Sequence, residues 1–375
     1  MRSPHAGRRT NTAVELINSS RMVAGYTMGI EPSGRESLVV VIKGTFRIPA
    51  EQGARLELHE EQLPLLTSDV FFGEPGTSAP KYEVDFAPRK PRCDVLLNGH
   101  AYAPAGRPTD RVIVGLRIGS WSKSFSVVGD RAWFMAGGPR ATSPMPFIQM
   151  PVSYDHAFGG TDRNHHDPAQ HAAFMPNPSG RGFHQHLTQK WLEGSPLPNT
   201  EEANETVTDP RGSYRPMSFG VVGRHWDPRR QRAGTYDEHW RNEIFPFLPP
   251  DFDAQYYQAA PPDQQLPLPL GEQRVALLNL TSGGHSDFTL PHFEAPIHVF
   301  PHQGPREDLK ALVDTILIEP DLGRVVMSWR VAWPLKKNLH EIAQVLVGRK
   351  GPEWWQQRER VAFPIPLVVE PLRRA

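Results

Sequence analysis

The hydrophobic and polar positions of residues 21–136 form short β-rich segments separated by turn residues. Residues 22–30 and 37–48 are two such segments, and the sequence EPSG at 31–34 separates them. Proline and glycine at these positions favour a reversing turn. The pattern therefore predicts an antiparallel hairpin near the N-terminus.

Three further segments, 94–103, 111–118 and 122–128, continue the same pattern. Gly119 and Ser120 lie where a two-residue hairpin loop needs permissive backbone angles. We expect these segments to form an antiparallel meander.

The C-terminal part repeats this arrangement and predicts a second sheet. Residues 274–280 lead through a Ser-Gly-Gly turn toward 288–290, and residues 312–318 reverse into 324–333. A helix is predicted over 338–348, because Asn338 can cap it, Glu341 follows three residues later and Gly348 can end it.

Between 137 and 270 this periodicity fades, and proline, glycine, histidine and aromatic residues dominate. A solvated linker rarely carries so many aromatic side chains, so we expect ordered irregular structure folded over the sheets. Within it, residues 236–244 and 253–260 are predicted to form short helices.

The predicted fold is mainly β, with antiparallel sandwich-like sheets, a long irregular middle segment and a few short helices. Prolines, 39 in all, make long helices unfavourable. The predicted regions are a flexible N-terminus (1–20), an N-terminal β region (21–136), the irregular segment (137–270) and a C-terminal β region (271–375).

The charge balance narrows the classes of partner. The 41 basic and 41 acidic residues cancel, which removes the long-range attraction to nucleic acid or anionic lipid. Apolar stretches fall short of the roughly 20 residues that cross a bilayer. Residues 1–20 lack the apolar block of a secretory signal. We therefore expect a cytoplasmic protein that binds neither nucleic acid nor membrane.

The sequence offers few candidates for metal-binding or catalytic residues. The run DRNHHD at 162–167, with further histidines up to His186, has residue types that bind zinc or iron but no known ligand spacing, so a solvated loop is favoured. Cys93 is the only cysteine, and we interpret it as a structural thiol. No nucleophile elbow, phosphate loop or dinucleotide fingerprint is present. We expect no cofactor, no metal and no catalytic residue.

An ordered series of motifs is more specific than the composition. It comprises MPVSYDHAFGG at 150–160, Arg224-x-Trp226-x-Pro228-Arg229, Gly234-Thr235-Tyr236-Asp237-x-x-Trp240, and LPPDFD at 248–253 followed by AAPPDQQ at 259–265. KGTF at 43–46 and DVLLNG at 94–99 precede it. This series resembles the bacterial domain-of-unknown-function 2169 family over residues 20 to 335.

The resemblance implies a role in protein secretion. Members of that family are typically encoded near type VI secretion effectors and are regarded as adaptors or chaperones that help an effector reach the secretion spike. The expected partner is thus a secreted effector, a spike protein or both. The alternatives from other classes are a metal-dependent hydrolase and a carbohydrate-binding or structural module.

Aromatic and arginine residues in the motifs are of the types that dominate protein interfaces. Trp226, Arg229 and Trp240 are our first choices for contact residues. The full set of candidate partner-binding residues is Tyr154, Asp155, His156, Arg224, Trp226, Arg229, Tyr236, Asp237, Trp240, Asp263, Gln264 and Gln265.

Overall fold

The structure, a computed structural model, describes residues 14–268 and 271–362 of the 375-residue chain. Strands dominate, which confirms the predicted mainly β class. The N-terminal strands are β1 (Glu15–Asn18), β2 (Val23–Ile30), β3 (Glu36–Arg47), β4 (Glu57–Leu58), β5 (Val70–Phe71), β6 (Pro80–Tyr82), β7 (Cys93–Leu97), β8 (His100–Tyr102), β9 (Arg111–Ile118), β10 (Trp121–Val128), β11 (Trp133–Met135) and β12 (Pro139–Ala141).

Strands of the middle segment are only two or three residues long. They are β13 (Gln149–Pro151), β14 (Phe158–Gly159), β15 (Thr161–Asp162), β16 (Ala172–Ala173), β17 (Arg181–Gly182), β18 (Thr200–Glu201) and β19 (Gln265–Leu266). The C-terminal strands are β20 (Arg274–Leu278), β21 (His285–Thr289), β22 (Ala295–Pro301), β23 (Glu307–Glu319), β24 (Arg324–Pro334) and β25 (Ile342–Val347).

Helical structure is limited to short pieces in the described residues. The two α-helices are α1 (Gln189–Leu192) and α2 (Pro352–Ala362). Single turns of 3₁₀ helix occur at Pro104–Gly106, Tyr154–His156, Pro168–Gln170, Arg230–Arg232, Ala254–Tyr257, Pro262–Gln264, Pro320–Leu322 and Leu339–Glu341, and one π-helical turn at Trp240–Ile244. The two short helices predicted at 236–244 and 253–260 thus exist, each as a single turn.

All four predicted hairpins form. β2 pairs with β3, β9 with β10, β20 with β21 and β23 with β24, each antiparallel. In the first turn, the Gly34 amide donates to the Glu31 carbonyl at 2.8 Å, and Gly34 has a φ of 80°, which a side chain would disfavour.

The large sheet has the strand order β1-β25-β22-β23-β24-β3-β2; in addition, β7 pairs with β23, β19 with β7 and β4 with β3. It curls until its ends approach each other, where the Tyr26 hydroxyl donates to the Val14 carbonyl at 3.0 Å. The result is a nearly closed, barrel-like sheet. β1 runs parallel to β25 and covers its outer edge, and the Gln344 amide donates to Glu15.

The second sheet is five-stranded and antiparallel, in the order β18-β10-β9-β20-β21. Its inner side chains, such as Phe125 and Leu277, belong to the same buried cluster as Leu38, Ile42 and Trp329 of the large sheet. One continuous core therefore joins strands from both ends of the chain.

Two predictions about strand pairing were wrong. The segment 94–103 does not join an antiparallel meander: β7 pairs in parallel with β23 and antiparallel with β19. Nor do the C-terminal strands build a sheet of their own, because β24 pairs with β3, and β20 pairs with β9. In both cases the actual partner strand is far away in sequence.

The helix predicted over 338–348 was also wrong. Its capping signals exist, since Asn338 accepts from the His340 amide and the Glu341 carboxylate accepts from the Lys336 and Lys337 amides. They close only one turn of 3₁₀ helix, after which β25 fills the gap between β1 and β22. The branched residues of 342–347 suit that extended strand.

The chain ends also differ from expectation. Of the predicted flexible N-terminus, residues 1–13 lie outside the described residues, whereas 15–18 form β1. Helix α2 was not predicted, although Pro352 at its start is a helix signal. Residues 363–375 of the C-terminal region lie outside the described residues as well. Across 14–268 and 271–362, no helix has the length and hydropathy of a membrane span.

Candidate functional site

The outer face of the large sheet carries a row of polar residues. Asp94 in β7, Thr315 in β23, Ser328 in β24 and Lys43 in β3 are successive neighbours across four strands. Asp94, Ser328 and Lys43 are buried. Since buried polar groups are costly without partners, the chain that covers this face must supply them.

Covering segments supply those partners as an ionic network. The Lys90 ammonium lies 2.8 Å from Asp94 and 3.4 Å from Glu83. Arg229 reaches Glu83 at 2.5 Å, and Arg224 reaches Glu83 and Asp69, each at 3.0 Å. Glu83 thus has three cations around it, and segments far apart in sequence are held on one sheet face.

Asp94 is the anchor of this network. Besides Lys90, its carboxylate accepts hydrogen bonds from the Gln258 amide at 2.6 Å and from the backbone amides of Ala259 and Ala260 at 2.8 and 3.2 Å. Four donors satisfy the oxygens of a fully buried carboxylate. Asp94 therefore fixes the 258–260 backbone against the sheet.

The motif around Trp226 lies in the interior. Trp226 is fully buried and packs edge-on against Tyr154, with 5.6 Å between ring centroids. Arg229 is also buried and donates to the carbonyls of Val222 and Tyr256. Neither can contact a partner directly in this conformation, which corrects their choice as contact residues. Residue type alone does not separate a core anchor from an interface anchor.

The PPDQQ motif joins the two sheets. The Gln264 amide donates to the Val95 carbonyl in β7 at 2.8 Å, and its oxygen accepts from the Lys123 ammonium in β10 at 2.6 Å. Asp263 lies 3.1 Å from Lys123, and Gln265 begins β19. Burial lowers the pKa of Lys123 to about 8, against the opposing charge of Asp263. These three predicted residues thus have structural roles.

A cleft of about 390 Å³ lies beside the PVSYDH motif. Asp155 and His156 line it, together with His100 and Asp321. The His100 Nδ1 lies 2.6 Å from Asp321, and the Ser153 hydroxyl lies 3.1 Å from the His156 Nδ1. Because each imidazole has a different partner, these four described residues do not form a Ser-His-Asp relay.

Residues 235–251 form an aromatic loop on the surface, hereafter the 235–251 loop. Asp251 closes it by accepting from the amide and the hydroxyl of Thr235, at 2.9 and 2.7 Å. Inside it, Trp240 packs edge-on against Tyr236 and Phe245 and donates to the Phe247 carbonyl. The loop is therefore held in one shape by its own contacts.

Large apolar side chains of this loop face solvent. Tyr236 is 50% exposed, Phe245 66% and Phe247 45%. Phe247 also touches the tip of the β2–β3 hairpin, where a Cβ on Gly34 would lie 2.9 Å from its ring. The loop is anchored at its base and presents aromatic surface at its tip.

The structure separates the twelve predicted residues into four places. Arg224, Trp226, Arg229 and Tyr154 hold the covering segments, Asp263, Gln264 and Gln265 join the sheets, Asp155 and His156 line the cleft, and Tyr236, Asp237 and Trp240 belong to the 235–251 loop. The structure therefore does not unite them into one surface.

Some residues of the cleft and the loop were missed. Phe245 and Phe247 alternate with prolines, a pattern typical of an exposed loop. His100 and Asp321 are 221 positions apart, and no sequence signal links them.

The earlier candidates for chemistry have structural explanations. Asp162 is buried and accepts from the backbone amides of Asn164, Gln185 and His186. In the described part of the chain, no group of three histidine, cysteine or acidic side chains has metal-binding geometry. Cys93 is fully buried, and burial raises the pKa of its thiol well above the usual range.

Comparison with known proteins gives one family. A family model described as an uncharacterized protein conserved in bacteria (DUF2169) matches residues 33–330. No curated protein and no solved structure gives a significant match. The match includes every motif described above and stops before β25 and α2.

Replacing Trp226 by alanine should destabilise the fold. The buried indole leaves a cavity, so the free energy of unfolding should fall by about 3–5 kcal/mol. Tyr236→Ala, the matched control in the 235–251 loop, should leave that free energy nearly unchanged. Chemical denaturation followed by circular dichroism measures both variants. Equal stability of Trp226→Ala and the parent would contradict the burial.

Glu83 should titrate far below an ordinary glutamate. Burial alone would raise its pKa, but Arg229, Lys90 and Arg224 lower it to about 2. A lowered folded-state pKa stabilises the protein above about pH 4.5, the ordinary value, and that contribution is lost as the pH falls toward 2.

NMR of the side-chain carboxyl carbon tests this directly. The Glu83 signal should shift near pH 2 in the parent and at higher pH in Arg229→Met, which removes one cation. A Glu83 signal that titrates near pH 4.5 in the parent would show that the three cations do not act on it.

Removing divalent metal should leave the fold unchanged. The Asp162 oxygens already accept backbone hydrogen bonds, and His171 contacts the His165 carbonyl at 3.0 Å. Dialysis against a chelator should therefore not shift the melting temperature. Stoichiometric zinc in the purified protein, together with melting at lower temperature after chelation, would overturn this prediction.

Proposed function

We propose that this chain, which belongs to the DUF2169 family of proteins conserved in bacteria, is a non-enzymatic adaptor or chaperone. It binds a type VI secretion effector in the cytoplasm and aids the loading of that effector onto the secretion spike. The secretion context comes from what the resemblance of the motifs implies. The observation that supports a binding role is the exposed aromatic tip of the 235–251 loop.

Exposing aromatic side chains of this size to water is unfavourable in free energy. A contiguous apolar patch on a soluble protein often marks an interaction site, and tyrosine is among the residues enriched at binding hot spots. Tyr236 and Phe245 together offer two rings, each half exposed or more. A partner that covers them gains the free energy of burying apolar surface.

Polar residues surround the aromatic tip. Asp237, Glu238 and Glu243 are exposed within the same loop, and the Asp237 carboxylate accepts from the Trp240 amide at 2.8 Å. An apolar centre with a polar rim is the usual arrangement of a protein–protein interface. The rim keeps the free protein hydrated and directs the orientation of a partner.

The rest of the molecule supports binding by keeping the loop in place. The Thr235–Asp251 contacts and the Trp240 hydrogen bond fix the loop internally. Such preorganisation reduces the conformational entropy lost when a partner binds. The buried motif residues then maintain the scaffold under the loop and do not themselves contact the partner.

Alanine substitutions in the loop test this function. Tyr236→Ala and Phe245→Ala should each weaken binding of a type VI secretion effector, sought among the products of the neighbouring genes, by about 2 kcal/mol, or about 30-fold in Kd. Copurification from cells that express both genes, followed by titration calorimetry, provides the measurement. Their melting temperatures should match the parent, because both rings are half exposed or more and neither belongs to a buried core cluster, while the Thr235–Asp251 contacts and the Trp240 hydrogen bond still hold the loop.

Met145→Ala is the matched control, since Met145 is also 66% exposed but lies outside the loop. It should bind as the parent does. Full binding by a double variant, Tyr236→Ala with Phe245→Ala, would exclude the loop as the contact surface. Failure of the parent to bind any neighbouring effector or spike protein would refute the adaptor function itself.

A further inference from the structure

The cleft beside the PVSYDH motif has features that the aromatic loop does not explain. It encloses about 390 Å³ and is built by the β7–β8 turn, the motif itself and the turn after β23. That volume exceeds the volume of one long side chain. The cleft is therefore large enough to receive a side chain from another molecule.

Asp155 is the group that the fold leaves incompletely paired. One carboxylate oxygen accepts from the Ala79 amide at 2.6 Å. Within the described residues, the other oxygen has no hydrogen-bond or ion-pair partner. The side chain is half-buried, and burial raises its pKa. A half-buried carboxylate with one donor has unused capacity for a cation.

The nearest positive groups do not fill that capacity. Arg181 donates its Nε to the backbone carbonyl of Asp155 and another nitrogen to the Asn199 side chain, with no ion pair to the Asp155 carboxylate. Burial and the charge of Arg181 lower the pKa of His156 to about 4, so its ring is neutral near pH 7. In the described part of the protein, Asp155 thus has no cation within 4 Å, and the more distant charge of Arg181 opposes only in part the rise in its pKa that burial causes.

Other charged groups of the cleft are already engaged. Asp321 accepts from His100 and from the Tyr102 hydroxyl. Glu319 is buried and bound by Tyr82 and Arg324.

Among the residues that the structure describes, Lys81 is the one lysine or arginine that lines the cleft. Its ammonium lies over the rings of Phe72 and Tyr82, at 5.7 and 5.3 Å from their centroids, and not within 4 Å of Asp155. The acidic side chains that line the cleft therefore outnumber its cations.

Apolar side chains form the rim. Phe72 is 43% exposed and Leu322 58% exposed, and both line the cleft. Arginine and lysine side chains combine an apolar stem with a charged head. Phe72 and Leu322 at the rim can pack against the apolar stem of such a side chain, and the Asp155 carboxylate can pair with its charged head.

We infer that this cleft receives one basic side chain, an arginine or a lysine, from the protein partner. The inference rests on the proposed function, because it names the chemistry of one contact of that partner. Asp155 forms the ion pair and Phe72 and Leu322 cover the methylene groups. The cleft adds directional specificity to the apolar contact made by the 235–251 loop.

A small-molecule probe tests the cleft without any effector. N-acetyl-arginine amide titrated into the purified full chain should bind saturably by NMR. N-acetyl-citrulline amide has the same shape without the charge, and should bind at least about tenfold more weakly. Equal affinity for the two probes would overturn the inference.

Asp155→Asn is the matching protein variant. The asparagine oxygen can still accept from the Ala79 amide, so the fold is retained while the charge is removed. Its affinity for the arginine probe should fall about tenfold, to the level of the citrulline probe. Asp110→Asn, an exposed aspartate that does not line the cleft, should bind as the parent does. Unchanged affinity in Asp155→Asn would contradict the proposed ion pair.

A second variant covers the case in which Asp155→Asn does not fold. Leu322→Lys places a competing cation at the exposed rim, and it should also weaken the binding of the arginine probe. In the parent, affinity should decrease as the pH falls through the raised pKa of Asp155, because protonation removes the charge. If neither Leu322→Lys nor a fall in pH changes the affinity for the arginine probe, the proposed binding in the cleft is contradicted.

Failure here and failure of the adaptor function are distinguishable. Tyr236→Ala should bind the arginine probe normally, because Tyr236 does not line the cleft. If effector binding depends on the loop but the probe does not bind, the adaptor function stands and the cleft assignment falls.

Discussion

The ion pairs around Glu83, Lys90 and Asp94 are the constraint on which the architecture depends. They occupy the outer face of a sheet whose other face is already committed to the hydrophobic core. Buried charges are tolerated only when partners and hydrogen bonds compensate for lost hydration. Asp94 and Glu83 meet that condition only when residues 221–229 and 258–260 are in place. The irregular middle segment is therefore held in register with the sheet by electrostatics as much as by packing.

Local features of the fold could be predicted from the sequence, and distant ones could not. The hairpins were predictable because proline, glycine and branched residues act over a few positions, as at Gly34. The parallel pairing of β7 with β23 joins residues more than 200 positions apart, and no local signal carries that information. At 338–348 the predicted capping residues do make their contacts, but the helix does not form, because the residues that follow pair with β22 as a strand of the sheet.

The candidate site shows the same division. Tyr236 and Trp240 were identified from residue type and do belong to the surface loop, whereas Trp226 and Arg229 have the same residue types and are buried. Residues that anchor the core and residues that anchor an interface are of the same chemical types, and only the tertiary structure distinguishes them. The motifs that identify the family thus describe mostly what maintains the scaffold, and the proposed contacts are the parts that this scaffold leaves exposed.

The pairing of β1 with β25 has a mechanical consequence. The two strands are parallel, and residues 15–18 lie beside residues 344–347. Tension that pulls the start of β1 away from the end of β25 runs along both strands, so it loads their hydrogen bonds together in shear. Breaking these hydrogen bonds one at a time would need a force perpendicular to the strands. The sheet would thereby resist unravelling by a force applied between residues 15 and 347.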